Sequence, residues 1–301
     1  MTRAPSAVLQ VCLNGSRGPG DSAAVPMSPE SLAASAAAAV AAGAGEVRVH
    51  PRTPCGRTSL SPRVLTPVLT SLRAAVGPSG AAPGTLPGAP VRVTTALSAE
   101  PDAERRTERV RSWTVHPDLV SVDWHEPGAE QIATALLDRG IAVEAALRPD
   151  TDGPARFARS PLAPRVARIL ATARSTVPPV RPRPSGPTAQ GSGPGAGPGL
   201  GSGPGLGSGP GPAAGYDLAA GYDPAAAEAV ALALALLAET GARPAGIPVL
   251  LHGVDCGAWP VLRLAGRLGL AARIGLEDTL FLPDGTRARS NAELVAAAVR
   301  Y

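Results

Sequence analysis

Short apolar runs alternate with longer stretches of helical pattern along most of the chain. The runs have the length and the apolar, often β-branched, content of buried strands, and apolar residues recur at helical spacing in the stretches between them. The first helix shows clear boundaries, because Ser28 is a good N-cap, Pro29 fits the first turn, and Gly43–Gly45 ends the pattern. The predicted strands are Ala7–Leu13, Val47–His50, Val91–Thr95, Leu119–Val122, Ile141–Ala145, Arg165–Leu170, Pro248–Leu251 and Ala272–Gly275.

A helix is predicted after each of these strands. The predicted helices are Pro29–Ala42, Pro62–Val76, Asp102–Ser112, Ala129–Arg139, a weak one near Gly153–Arg159, Ala225–Thr240, Ala258–Leu268 and Asn291–Arg300. Eight strand–helix units in strict alternation favour a closed parallel (β/α)8 barrel, a TIM barrel, over an open sheet. We therefore expect the chain 1–301 to form one α/β barrel domain.

One segment interrupts this alternation, between the sixth strand and its helix. From Thr176 to Pro224 the chain is rich in Gly, Pro and Ser, and it contains tandem six-residue units such as GSGPGL and GSGPGP. Units of this composition bury too little apolar surface to offset the entropy of ordering the backbone. The sequence predicts a disordered, low-complexity insertion at 176–224, which leaves a remainder of the usual size for a TIM barrel.

Composition and charge exclude several classes of protein. The 28 basic residues are all arginine, and they are scattered among 24 acidic ones with no basic run, so a nucleic-acid partner is not expected. Three cysteines without a CxxC pair do not predict a disulfide framework. Neither a signal peptide nor an apolar run of transmembrane length is recognised. We expect a cytoplasmic protein with no membrane partner.

Polar residues follow the predicted strands, and in a TIM barrel the active site lies at those C-terminal strand ends. Arg48 and His50 are two residues apart on one strand and so point to the same face, which the apolar alternate positions make the inward one. Glu277 and Asp278 are adjacent carboxylates after the eighth strand, a pattern typical of a metal ligand beside a general base. An ordinary hydrogen-bonded histidine and a solvated turn are the alternatives for these two features, and a solvated surface arginine is the alternative for Arg17.

The run Arg273-Ile274-Gly275-Leu276-Glu277-Asp278 is the most specific motif of the chain. Together with His252-Gly253, with Asn14-Gly15-Ser16-Arg17 and with the segment Asp123–Ala129, it resembles the β-keto acid cleavage enzymes, the family of the 3-keto-5-aminohexanoate cleavage enzyme. The resemblance extends over essentially the whole chain outside the insertion. It implies a TIM barrel, small-molecule β-keto acid and acyl-CoA partners, and a homo-oligomer.

The resemblance also implies a chemistry and a set of residues. Such enzymes condense a β-keto acid with acetyl-CoA, which is the co-substrate, and release acetoacetate and a new acyl-CoA. By position, the implied zinc ligands are His50 and Glu277, and the catalytic residues are Asp278 as the base, Arg273 as its partner, and Thr94. The expected substrate-binding residues, taken from the ends of the strands, are Asn14, Arg17, Arg48, Thr95, Asp123 and Glu144.

Arg48 departs from the pattern of the family, which has a histidine ligand there. A guanidinium has no lone pair to give to a metal ion, so zinc keeps only two implied protein ligands, and His125 and His252 are the candidates for a third. Two hypotheses for Arg48 follow: it binds the substrate carboxylate, or it pairs with Glu277.

Three functions are consistent with these patterns. The first is an acyltransferase of the family described, and the second is a metal-free relative that acts as a binding module or an inactive paralogue. The third is an unrelated metal-dependent aldolase or hydrolase on the same barrel.

Overall fold

The computed structural model describes residues 8–77, 90–94, 99–176, 224–239 and 246–301, without the side chains of residues 93 and 94. Its eight strands pair in parallel, each with the next, and β8 pairs with β1, so the sheet is a closed barrel. The strands are β1 (Leu9–Cys12), β2 (Glu46–Val49), β3 (Val91–Thr94), β4 (Leu119–Asp123), β5 (Ala142–Leu147), β6 (Arg168–Ala173), β7 (Val249–Gly253) and β8 (Ala271–Ile274). The expected TIM barrel is confirmed.

A helix follows each strand along the chain. The helices are α1 (Pro29–Ala41), α2 (Pro62–Val76), α3 (Ala103–Arg111), α4 (Ala129–Leu137), α5 (Gly153–Arg159), α6 (Pro224–Glu239), α7 (Ala258–Arg267) and α8 (Asn291–Arg300). Side chains that cap exposed backbone N–H groups fix several of the starts. The Ser28 hydroxyl accepts a hydrogen bond from Ser31 N, Asp102 accepts one from Arg105 N, and Ser290 accepts one from Glu293 N.

The sixth strand lies three residues later than the sequence indicated. Residues Ala163–Arg165 form a short 3-10 helix that contains a proline, so β6 runs from Arg168 to Ala173 instead of from Arg165 to Leu170. The predicted insertion lies outside the described residues except at its two ends. Thr176 donates a backbone hydrogen bond to Glu228 of α6, and Pro224 is the first residue of that helix.

Apolar side chains pack between the strands and the surrounding helices, and Ala, Val and Leu dominate this core. The barrel interior is different. A small apolar group occupies part of it, formed by Ala146, Leu170, Leu250 and Ala271. Buried charged and polar side chains, at least one from each of the eight strands, occupy the rest. Within the described part of the chain, no helix has the length and apolar character needed to span a membrane.

Candidate active site

An arginine and an aspartate form a buried ion pair where β8 ends. Arg273 lies on the strand, and its Nη2 donates to Asp278 Oδ1 at 2.6 Å while its Nε donates to the same oxygen at 3.1 Å. Arg273 is 3% exposed and the Asp278 carboxylate is not exposed at all. Burial disfavours a charged guanidinium, but Asp278 and Glu277 outweigh that effect and raise the pKa of Arg273 well above its usual value. The two residues expected to act together therefore do lie together.

Glu277 directs its two carboxylate oxygens to different partners. Oε1 lies 3.3 Å from Arg273 Nη2, whereas Oε2 faces His50 and Cys12. Burial opposes ionisation of this carboxyl group, but Arg273, His50 and Arg48 outweigh burial and hold the pKa of Glu277 well below its usual range. Glu277 is therefore ionised, and its Oε2 is directed at His50 and Cys12.

His50 follows β2 directly and presents a neutral imidazole to the same place. Burial is the main cause that lowers the pKa of His50 to about 4, with further contributions from three arginines. Its Nε2 lies 3.5 Å from Glu277 Oε2, is buried, and makes no hydrogen bond within the described residues. Asn14 fixes the backbone around it, since its Oδ1 accepts from His50 N at 3.0 Å and its Nδ2 donates to His50 O at 2.9 Å. An unsatisfied buried nitrogen beside a carboxylate is what a metal ligand requires.

Cys12 is a third donor at this place, and the sequence analysis did not identify it. It is the last residue of β1, is fully buried, and its Sγ contacts Glu277 Oε2. The donor atoms of Cys12, His50 and Glu277 all lie within 4.8 Å of one another. The available signal was positional, because Cys12 pairs in register with the inward-facing Arg48. The nitrogen, sulfur and oxygen donors of this group fit a divalent metal such as zinc.

Gly15 lets the loop after β1 pass against this group. Its φ is +57°, a conformation that favours glycine, and a methyl group on it would overlap the side chain of Glu277. The first loop therefore needs glycine here to keep Glu277 where it is.

Arg48 lies below this group, in the barrel interior, where it is 4% exposed. Its Nη1 donates to Ser121 Oγ and to Glu144 Oε1, the latter at 3.2 Å. Of the two hypotheses for Arg48, the ion pair with Glu277 is not formed, because the guanidinium pairs with Glu144 instead. The positive charge of Arg48 is thus offset by a buried carboxylate.

Glu144 also lies deeper than expected. Strand β5 continues to Leu147, so Glu144 is in its middle and not at the rim formed by the C-terminal strand ends. Arg168 Nε donates to Glu144 Oε2 at 2.6 Å, and Arg168 Nη1 donates to Glu46 at 2.9 Å. Arg92 Nε also donates to Glu46, at 2.6 Å. These side chains form a continuous network of buried charges under the candidate site.

Three of the remaining predicted residues, Arg17, Asp123 and Thr94, lie around the rim. Arg17 Nε donates to Glu277 O at 3.1 Å and its guanidinium pairs with the exposed Asp255. Asp123 ends β4, and burial is the main cause that raises its pKa. Thr94 is the last residue of β3, whereas Thr95 lies outside the described residues.

His252 is not part of the group of potential metal ligands formed by Cys12, His50 and Glu277. It is 2% exposed, its Nδ1 lies 3.3 Å from Asp278 Oδ1, and its Nε2 lies 2.9 Å from Thr172 Oγ1. Sequence reasoning missed Thr172, because the predicted sixth strand ended two residues before it. His125, the other candidate for a third ligand, is not part of the three-donor group either.

Fold and site together define a TIM-barrel protein whose C-terminal rim holds a group of three metal-type donors beside a buried Asp–Arg pair. The family model for beta-keto acid cleavage enzymes matches residues 6–146 and 211–301, which is most of the chain. The chain therefore belongs to the β-keto acid cleavage enzyme family, and the resemblance found in the sequence is confirmed. No curated protein matches the chain.

Solved structures of ObcA share the fold. The apo structure of ObcA has a TM-score of 0.58 at 16% identity, covering 92% of this chain and 61% of that one. The binary complex of ObcA with oxaloacetate has a TM-score of 0.57 at 16% identity, covering 92% and 63%. The ternary complex of ObcA with a C4-CoA adduct and oxalate has a TM-score of 0.57 at 15% identity, with the same coverage. This chain thus spans less than two thirds of the length of ObcA.

Proposed function

We propose that this protein is an acyltransferase that condenses a β-keto acid with acetyl-CoA and releases acetoacetate and a new acyl-CoA. The observation that carries the proposal is the buried Asp278–Arg273 pair directly beside Glu277 and His50, in a chain of this family. ObcA forms complexes with oxaloacetate, a β-keto acid, and with a C4-CoA adduct, a CoA derivative, which supports the same two ligand classes.

His50 and Glu277 would hold a divalent metal ion, which we propose to be zinc. When bound, the ion would polarise the keto and carboxylate oxygens of the substrate and stabilise the negative charge that develops on them. The ionised Glu277 and the neutral His50 are in the protonation states that ligation needs.

Asp278 is the proposed base. It takes a proton from the carbon between the keto and carboxylate groups, and that carbon attacks the thioester carbonyl of acetyl-CoA and expels the CoA thiolate. The thiolate adds to the keto carbon of the original acid, and the bond between that carbon and the attacking carbon breaks. The products are a new acyl-CoA and the acetoacetate carbanion, which recovers its proton from Asp278.

Two side chains hold Asp278 for this task. Arg273 donates to it through Nε and Nη2, which fixes the plane of the carboxylate. His252 Nδ1 lies 3.3 Å from the oxygen Oδ1 that Arg273 also contacts, and His252 Nε2 lies 2.9 Å from Thr172 Oγ1. Burial, together with Arg273, lowers the pKa of His252. Its imidazole is therefore neutral at physiological pH, and it carries no positive charge that would pair with Asp278.

Substrate binding is proposed for residues at the rim. Arg17, Asp123 and Thr94 end or follow their strands. Together with Thr95, the next residue in the sequence, they are the candidates for contacts with the acid or with CoA. Asn14, Arg48 and Glu144 were predicted to bind substrate too. Each of them hydrogen-bonds to other protein groups, and we propose that they hold the site in shape.

A second candidate function is a metal-free barrel that binds an anion without turnover. The observation that favours it is Arg48, which occupies the position of a histidine ligand in the family. The two functions are distinguished by incubating purified protein with acetyl-CoA and a panel of β-keto acids, with and without added zinc. The acyltransferase forms a new acyl-CoA, and the metal-free barrel forms none.

Mass spectrometry of the mixture detects any new acyl-CoA. We expect zinc-dependent formation of a new acyl-CoA with at least one acid, and its loss in Asp278→Asn but not in Asp284→Asn, a change at an exposed residue. Binding of an acid without product under every condition would instead support the metal-free barrel.

A further inference from the structure

We propose that Cys12 is the third protein ligand of the metal site, so that Cys12, His50 and Glu277 form a thiolate–imidazole–carboxylate centre. The inference rests on the proposed function only for the expectation that this barrel uses a metal. It adds a ligand that replaces the one lost at Arg48, and it specifies the class of metal.

The distances among the donors carry the inference. At ordinary zinc–ligand bond lengths, two donors of a tetrahedral site are roughly 3.3–3.7 Å apart. Glu277 Oε2 and His50 Nε2 are 3.5 Å apart, and Cys12 Sγ contacts the same Oε2. Because all three donors lie within 4.8 Å of one another, shifts of about 1 Å would place them around one ion.

The barrel itself places the three residues together. Strands β8, β1 and β2 are neighbours in the closed sheet, so Glu277 follows the strand on one side of Cys12 and His50 follows the strand on the other. Gly275 permits this arrangement, because a side chain there would overlap the backbone of Cys12.

Among the described residues, neither Arg48 nor His252 can supply the third ligand. Arg48 has no lone pair and is hydrogen-bonded to Ser121 and Glu144. His252 lies against Asp278 and Thr172. Cys12 completes the three protein ligands that catalytic zinc sites ordinarily have, with a fourth position left for substrate or water.

Charge and softness then specify the metal. A thiolate and a carboxylate together neutralise a divalent cation, while Arg273 contacts the other oxygen of Glu277 and leaves Oε2 for the ion. Thiolate ligands favour zinc and chemically similar ions over magnesium and manganese. The site should therefore bind zinc or cobalt(II) and discriminate against magnesium.

Cobalt(II) substitution tests the assignment, because a thiolate bound to cobalt(II) gives a charge-transfer absorption in the near ultraviolet. The full chain is stripped of metal, loaded with cobalt(II), and its spectrum and bound metal are measured. We expect one cobalt per chain with the thiolate band. A variant with Cys55→Ala and Cys256→Ala retains Cys12 as its only thiol and should keep the band.

Two variants remove the sulfur. Cys12→Ser and Cys12→Ala should abolish the band and weaken zinc binding at least ~100-fold, more than is typical for loss of a group that only supports a ligand. Cys55→Ala alone is the matched control and should bind zinc as the wild type does. If the Cys12 variants do not fold, the chain with Cys12 as its only thiol still decides the question.

Several results would overturn the inference. They are a wild type that binds no metal, a cobalt-loaded wild type without the thiolate band, and a band that survives in Cys12→Ser. Because metal content and spectrum do not depend on turnover, failure of the proposed acyl transfer is recognised separately, as a thiolate–cobalt site without product.

Discussion

The replacement of Glu144 by glutamine tests whether the charged interior of the barrel stabilises the folded protein. Glu144 is not exposed at all and accepts from Arg168 at 2.6 Å and from Arg48 at 3.2 Å. Burial alone would raise its pKa, but the two arginines and Ser121 lower that pKa from 4.5 to about 2. This difference corresponds to about 3 kcal/mol of stabilisation by the charged carboxylate. Loss of one partner from a buried ion pair typically costs about 3–5 kcal/mol.

We therefore expect Glu144→Gln to lower the free energy of unfolding by about 3 kcal/mol at pH 7, a decrease in Tm of roughly 6–12 °C for a domain of this size. The sign of the pH dependence follows from the lowered pKa. The contribution of the carboxylate is fully present above pH 4.5 and disappears as the pH falls through about 2. The difference between wild type and variant should shrink over the same range.

Thermal and urea unfolding followed by circular dichroism measure this effect. Glu293→Gln is the matched control, because Glu293 pairs with Arg289, which is 88% exposed, and a surface pair contributes no more than about 1 kcal/mol. Equal, small decreases in Tm for the two variants would refute the view that Glu144 stabilises the interior.

Three further predictions concern the site. Asp278→Asn retains the shape of the base without its function, and we expect its rate of acyl transfer, measured by acyl-CoA formation, to fall at least ~10²-fold; an unchanged rate contradicts the assignment. Gly15→Ala should weaken zinc binding in a competition assay, because the new methyl group displaces Glu277. Gly20→Ala is the control and should not weaken it, because its methyl group meets open space. Equal zinc affinities of the two variants would show that the close approach of Gly15 to Glu277 is unimportant. Arg48→Met should lower the free energy of unfolding by about 3 kcal/mol. The zinc content of this variant should stay at one ion per chain. Loss of the metal would show that the arginine acts at the metal site itself and not below it.

The sequence contained enough information for the fold because each strand–helix unit has its own local signals. Ser28, Asp102 and Ser290 precede their helices and cap them, and the apolar runs between helices have the length of buried strands. Alternation of such units predicts a parallel barrel without any knowledge of distant contacts. The position of β6 was wrong because Pro164 ends the local pattern in a 3-10 helix, which propensity alone did not indicate.

The site was only partly predictable, because some of its residues are close in sequence and others meet only when the barrel closes. Arg273, Glu277 and Asp278 are close in sequence, so their proximity followed from one strand end, and the structure shows Arg273 hydrogen-bonded to Asp278. Cys12 and Glu277 are far apart in sequence, and only the closure of β8 onto β1 brings them into contact.

The buried charges were missed in the same way. Glu46, Arg92 and Arg168 each occupy an alternate, inward position of their strands. Only the joint arrangement of the three strands shows that these charges neutralise one another inside the barrel.

Isotope labelling tests the central claim, the exchange of acyl groups between a β-keto acid and acetyl-CoA, most directly. The zinc-loaded protein is incubated with acetyl-CoA labelled with carbon-13 in its acetyl group and with an unlabelled β-keto acid, and both products are analysed by mass spectrometry. We predict acetoacetate that carries the label in the two carbons of its acetyl group, together with an unlabelled new acyl-CoA formed in equal amount. Label in the new acyl-CoA, or consumption of the β-keto acid without labelled acetoacetate, would contradict the proposed reaction.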